Sequence, residues 1–173
     1  MHYNFTFRKI VFLLLLMTCL FSFGARKEYE LKAAYLCQFL KYVEFNDKSE
    51  FFHIGVIGEN PFNGFLKKYD GKSLNKRKIK IHYLGKDKAK ITAQKCHIYF
   101  FAKSEVLKQK DILKLVNAQS LTVGDNKWFN QSGGMLNLLL KPNGSVRWEI
   151  NKTEISKLKV SSKIIRMAEN KNE

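Results

Sequence analysis

The chain predicts an α/β fold: a single three-layer domain with a mixed, mostly parallel sheet flanked by helices and closed by a C-terminal β-hairpin plus helix. Three observations carry this expectation. Apolar stretches of strand length alternate with stretches of helical periodicity, which requires crossover connections and so parallel strands. The run Cys96–Phe101, CHIYFF, is apolar almost throughout, as a central strand covered on both faces must be. Met135–Leu140 and Val146–Ile150 flank Lys141-Pro142-Asn143-Gly144-Ser145, and its Asn-Gly pair marks an antiparallel hairpin that makes the sheet mixed.

The elements are taken in chain order. Residues 1–24 read as a cleaved secretory signal: Arg8 and Lys9 form a positive start, Ile10–Leu20 is apolar, and Ser22-Phe23-Gly24 is a small-x-small cleavage site. The apolar run is short for a membrane span, which needs about 20 residues. A lipid anchor at Cys19 is an alternative, although Thr18 is larger than the residue usually found before a lipid-modified cysteine. Residues 25–173 then form one domain. A first helix is expected over Glu28–Val43, with Leu31, Ala34, Tyr35, Leu36, Phe39, Leu40 and Val43 at helical spacing. Phe52–Ile57 reads as a buried strand. Asn60-Pro61 is a good helix start, because Asn caps and Pro at the first position gives up an N–H that has no partner there; a helix Pro61–Tyr69 is expected.

Lys78–Tyr83, KIKIHY, alternates basic and apolar residues and suits an edge strand with one wet face. Residues 86–94 form a polar connection with room for a short helix. Ser104 can cap a helix Glu105–Val116, Leu121–Val123 is a further strand, and a last helix spans Thr153–Met167. Trp148, between Arg147 and Glu149 on the hairpin, faces the core.

Charge narrows the partners. The formal net charge is +16, and lysine supplies 26 of the 31 basic residues. Nucleic-acid readout leans on arginine forks, and an exported chain meets little nucleic acid. A modest concentration of lysines over Lys67–Lys90 is interrupted by Asp70 and Asp87. It reads as a solvated face or as steering towards an acidic partner or anionic surface.

Catalytic patterns are sparse. The turns Gly58-Glu59-Asn60 and Gly124-Asp125-Asn126 should lie at the carboxyl ends of strands, where open α/β sheets bind ligands. They frame a candidate cleft with Glu59 and Asp125 as its polar groups. Alternatively they are plain turns, in which the glycines supply backbone freedom while Asn60 and Asp125 cap the next segment. No dinucleotide or phosphate-loop spacing is present after Gly58, and there is no nucleophile elbow. His53, His82 and His97 show no metal-ligand spacing, so they read as strand-end histidines. No cofactor is indicated. Cys37 and Cys96 are either bridged, as an oxidising compartment allows, or two separate buried thiols. Trp128, Phe129 and Asn130 sit in a loop between Asp125 and Gly133. There the aromatics either anchor an interface or plug the sheet end.

Four blocks occur in a fixed order: Lys32–Phe45 (KAAYLCQFLKYVEF), Ile54–Phe62 (IGVIGENPF), Cys96–Phe101, and Leu121–Asn151 with TVGD and GGMLN inside it. Together they resemble the YfiR-like family of periplasmic regulatory proteins. The resemblance implies a non-enzymatic domain that binds the periplasmic sensor part of an inner-membrane signalling protein. That partner would be a diguanylate cyclase, acting in cyclic-di-GMP signalling, or a histidine kinase in its place. It also implies pairing of the protein with itself as a homodimer. Some members carry disulfides, but the spacing of Cys37 and Cys96 is not matched to theirs. The alternative reading is a periplasmic small-ligand sensor using a cleft at Gly58/Gly124; a hydrolase using Glu59 and Asp125 comes third.

Overall fold

Seven strands form one sheet in the computed structural model, which describes residues 26–103, 109–116 and 118–169. They are β1 (Phe51–Ile57), β2 (Ser73–Leu74), β3 (Arg77–Gly85), β4 (Ile98–Phe101), β5 (Leu121–Gly124), β6 (Leu136–Leu140) and β7 (Val146–Ile150). Their order is β2-β3-β1-β4-β5-β6-β7. Pairing is parallel from β3 through β6 and antiparallel at both ends. The sheet is therefore mixed and mostly parallel, and the apolar β4 takes its centre. The helices are α1 (residues 26–39), α2 (Lys88–Ala93), α3 (Gln109–Leu113), α4 (Lys152–Ile155) and α5 (Ser162–Arg166).

Successive strand residues point to opposite faces, and this divides the core in two. On one face Phe52, Ile54 and Val56 of β1 join Ile98 and Phe100 of β4. They pack with Leu36, Phe39 and Leu40 of the α1 segment and with Ile155 and Ile164 of α4 and α5. On the other, Ile57, Tyr99 and Phe101 pack with Ile91 of α2, Ile112 of α3 and Phe129. Trp148 is buried on the α1 face, edge-on to Phe39, and its indole N–H donates to the Ile164 carbonyl at 2.9 Å.

Three elements differ from expectation for local reasons. The helix expected over Pro61–Tyr69 is only a 3-10 turn, Leu66–Tyr69, because Asn63 and Gly64 take left-handed φ of 47° and 85° and break it. The terminal helix splits into α4 and α5. Between them Val160 forms an antiparallel bridge with Val43, and the Ser161 N–H donates to the Tyr42 carbonyl. The same bridge pulls Val43 out of α1. β3 is one place in from the edge, shielded by β2 only at Arg77 and Lys78. The signal segment 1–24, with Cys19, and the Ser104 cap fall outside the described residues, as does the first part of the helix expected over Glu105–Val116.

The bridge between Cys37 and Cys96 is not formed; both are free and buried. The reason is the sheet itself: Cys37 packs in the α1-side core and Cys96 in the opposite one. Burial pushes both thiols up to about 12, so thiolate is scarce at neutral pH. Native protein should therefore take up no iodoacetamide at either position within minutes, and both should label in denaturant without reductant. Mass spectrometry reads the result; an unreduced mass two hydrogens short would contradict the two-core placement.

Candidate functional site

The parallel strands run β3-β1-β4-β5-β6, so the chain reverses direction beside β1 and the switch point lies between β1 and β4. Gly58 stands there with φ 90°, and its N–H closes onto the Gly85 carbonyl at 2.8 Å. The Asn60 side chain accepts from the Phe62 N–H at 3.1 Å, an Asx turn. Glu59 is exposed. The turns at Gly58 and Gly124 are not on adjacent strands, since β4 stands between β1 and β5.

Asp125 instead faces α1. Its Oδ2 accepts from the Tyr29 hydroxyl at 2.8 Å and from Lys32 Nζ at 3.3 Å. Lys32 also meets Glu28 at 2.5 Å. The Lys32 and Asp125 side chains are 1% and 0% exposed, so this is a buried ion pair. Burial raises the Asp125 carboxyl above the usual range despite the opposing pull of Lys32 and Tyr29. The pair ties the first motif block, through Lys32, to TVGD, through Asp125.

The β5–β6 crossover holds the predicted partner residues. Phe129 is fully buried, 5.3 Å from Phe101, and its ring lies on the backbones of Gly124 and Gly134; a Cβ at either glycine would overlap it. The expectation of Phe129 as an exposed anchor is therefore corrected: it is the plug. Asn130 is half-buried and its carbonyl accepts from Asn151 Nδ2 at 3.0 Å. Trp128 alone of the three stands out, 47% exposed, with Lys127 Nζ 4.7 Å from its ring centroid.

The opposite end of the sheet holds a cluster that sequence reasoning missed. His97 precedes β4, and its Nδ1 accepts the His53 backbone N–H at 2.9 Å. In the neutral ring Nε2 then carries the proton and donates to Asp47 Oδ2 at 2.5 Å. Arg77 donates to Asp47 Oδ1 at 2.6 Å and to the Phe51 carbonyl at 2.8 Å, with its guanidinium 3.9 Å above the Phe52 ring. His53 stacks on His97 at 5.8 Å and meets His82 through Nδ1···Nε2 at 2.8 Å. Burial outweighs the influence of Asp47 and holds His97 below the ordinary histidine range. At Asp47 the pull of His97 and Arg77 overcomes burial and lowers the carboxyl.

The carboxylate beside His97 comes from a loop 50 residues away in the chain, which no local spacing could reveal. A recess of about 260 Å³ opens next to this cluster, lined in part by Asp47, Lys95, His97 and Ser120. Among the described residues no group of three or more His, Cys, Asp or Glu is placed to hold a metal ion. Nor is any helix among them long and apolar enough to cross a membrane.

Fold and surface together define a small three-layer α/β domain whose β5–β6 loop is clamped by the buried Phe129 and presents one large aromatic. The chain belongs to the YfiR/HmsC-like family, which matches residues 29–169. No curated protein matches it.

Proposed function

We propose that the protein is an exported, non-enzymatic regulator that binds the periplasmic sensor domain of an inner-membrane signalling protein, such as a diguanylate cyclase or a histidine kinase. Family membership over residues 29–169 is the observation that carries this reading. Trp128 supports a docking point: it is exposed on a loop that its buried neighbour Phe129 clamps to the sheet. A rigid aromatic of this kind loses little entropy when it is covered, as binding hot spots require. The high positive charge would speed encounter with an acidic sensor domain. A partner bound only in its inactive state would be held there by no more than the difference in affinity between its two states.

Trp128→Ala tests the docking point. Stability should change by no more than about 0.5 kcal/mol, as for an ordinary surface site. Capture of membrane signalling proteins from solubilised envelopes should fall about 30-fold or more, the size of a hot spot worth about 2 kcal/mol. Capture equal to that of the unaltered protein would place the interface elsewhere. Sedimentation of the purified protein would show whether it also pairs with itself.

A further inference from the structure

We propose that His53 and His82 form a two-imidazole binding site for a divalent copper or nickel ion. The proposal is independent of the regulatory reading. The two residues lie on neighbouring parallel strands, two residues apart in register, since His53 pairs with Lys80 and His82 with Gly55. Their side chains share one face of the sheet, and both are half-buried. His53 Nδ1 and His82 Nε2 stand 2.8 Å apart.

That separation is the ordinary length of the hydrogen bond the two rings share, so it brings two imidazole donors to one place without fixing a coordination angle. An ion would replace the shared proton, with small side-chain adjustments bringing both lone pairs to a common point. Imidazole donors suit Cu²⁺ and Ni²⁺, and Cu²⁺ heads the divalent series ahead of Zn²⁺.

His97 does not join them. Its Nδ1 accepts the His53 backbone N–H and its Nε2 faces Asp47, so both nitrogens are engaged. It acts as a support, stacking on His53 with the ring planes 8° apart. The surrounding charges are mixed: Arg77 and Lys80 act on the pair against a cation, while Asp47 and Asp70 act in its favour. Charge alone therefore does not hold the ion, and magnesium or calcium would not bind. Strong bonds from neutral imidazole must do so, which favours the top of the divalent series.

The test is titration of the purified protein, carrying no added histidine tag, with copper(II), nickel(II) and zinc(II) salts, followed by calorimetry and by electron paramagnetic resonance of the copper form. One Cu²⁺ per chain is expected, bound more tightly than Zn²⁺, with hyperfine structure from two nitrogens. His53→Asn and His82→Gln should each weaken binding about 10- to 100-fold, at least what loss of an outer-shell partner costs. In the unaltered protein, copper should broaden the NMR signals of the His53 and His82 rings and spare the Trp128 indole; this arm needs no variant to fold. Unchanged affinity in the double variant, tighter binding of zinc than copper, or broadening centred elsewhere would each overturn the assignment.

Discussion

Lys32→Met should destabilise the protein by about 3–5 kcal/mol, the cost of leaving a buried charge without its partner. This is a large share of the roughly 5–15 kcal/mol that separates folded from unfolded domains. Lys32 stands between Glu28 and Asp125, so its loss also leaves two carboxylates facing each other across a site that water barely reaches. Lys32→Met combined with Asp125→Leu should recover most of the loss, because a buried ion pair replaced as a unit by apolar groups is close to neutral.

Acidity gives an independent handle on the same pair. The Asp125 carboxyl is already raised by burial, and removing its cation raises it further. A carboxyl raised in the folded state contributes stability that is present at low pH and is lost as pH rises through its folded value. The deficit of Lys32→Met should therefore be largest at neutral pH and shrink on acidification. Denaturant titrations at pH 7 and pH 5 measure it. A deficit that is the same at both would mean that the loss of Lys32 leaves the folded-state Asp125 carboxyl no higher than in the unaltered protein.

The second large effect belongs to the Phe129 plug. Phe129→Ala removes a fully buried ring and should cost about 3–5 kcal/mol. Gly124→Ala and Gly134→Ala should each cost about 1–3 kcal/mol by overpacking against that ring. Neither glycine has a left-handed φ, so the penalty is steric and owes nothing to backbone strain. This sets up a double-mutant cycle. Gly124→Ala placed in the Phe129→Ala background meets space instead of a ring and should cost much less than alone. If the two losses add, the ring does not rest on Gly124. Phe129→Ala should also loosen the loop that carries Trp128, and so weaken partner capture without touching the contact residue.

The cluster at the other sheet end shows why part of the site was legible and part was not. That His53 and His82 lie on strands is evident from the apolar character around them, Phe52–Ile57 and KIKIHY. That their strands are neighbours, in a register bringing the two rings to 2.8 Å, is a property of sheet order. Asp47 and Arg77 carry no signal, because a carboxylate and a guanidinium on separate segments become partners only when the chain closes. Phe129 is partly legible. Its flanking glycines read as turn and hairpin chemistry, and nothing local discloses their second role as a flat seat for the ring.

By itself the sequence determined the local elements of this protein. Apolar runs and their periods placed six of the seven strands, the Asn-Gly pair placed the hairpin, and the order of the motif blocks pointed to the family. These are properties of a few neighbouring residues and are written in the side chains directly. Only the tertiary structure decided which face each residue served: that Cys37 and Cys96 lie on opposite sides of the sheet, that Asp125 turns towards Lys32, and that Trp128 is exposed while Phe129 is buried. The physical reason is that a strand offers two equivalent faces. The choice between them depends on which distant helix or loop arrives to cover each one, and that is settled by the whole chain at once.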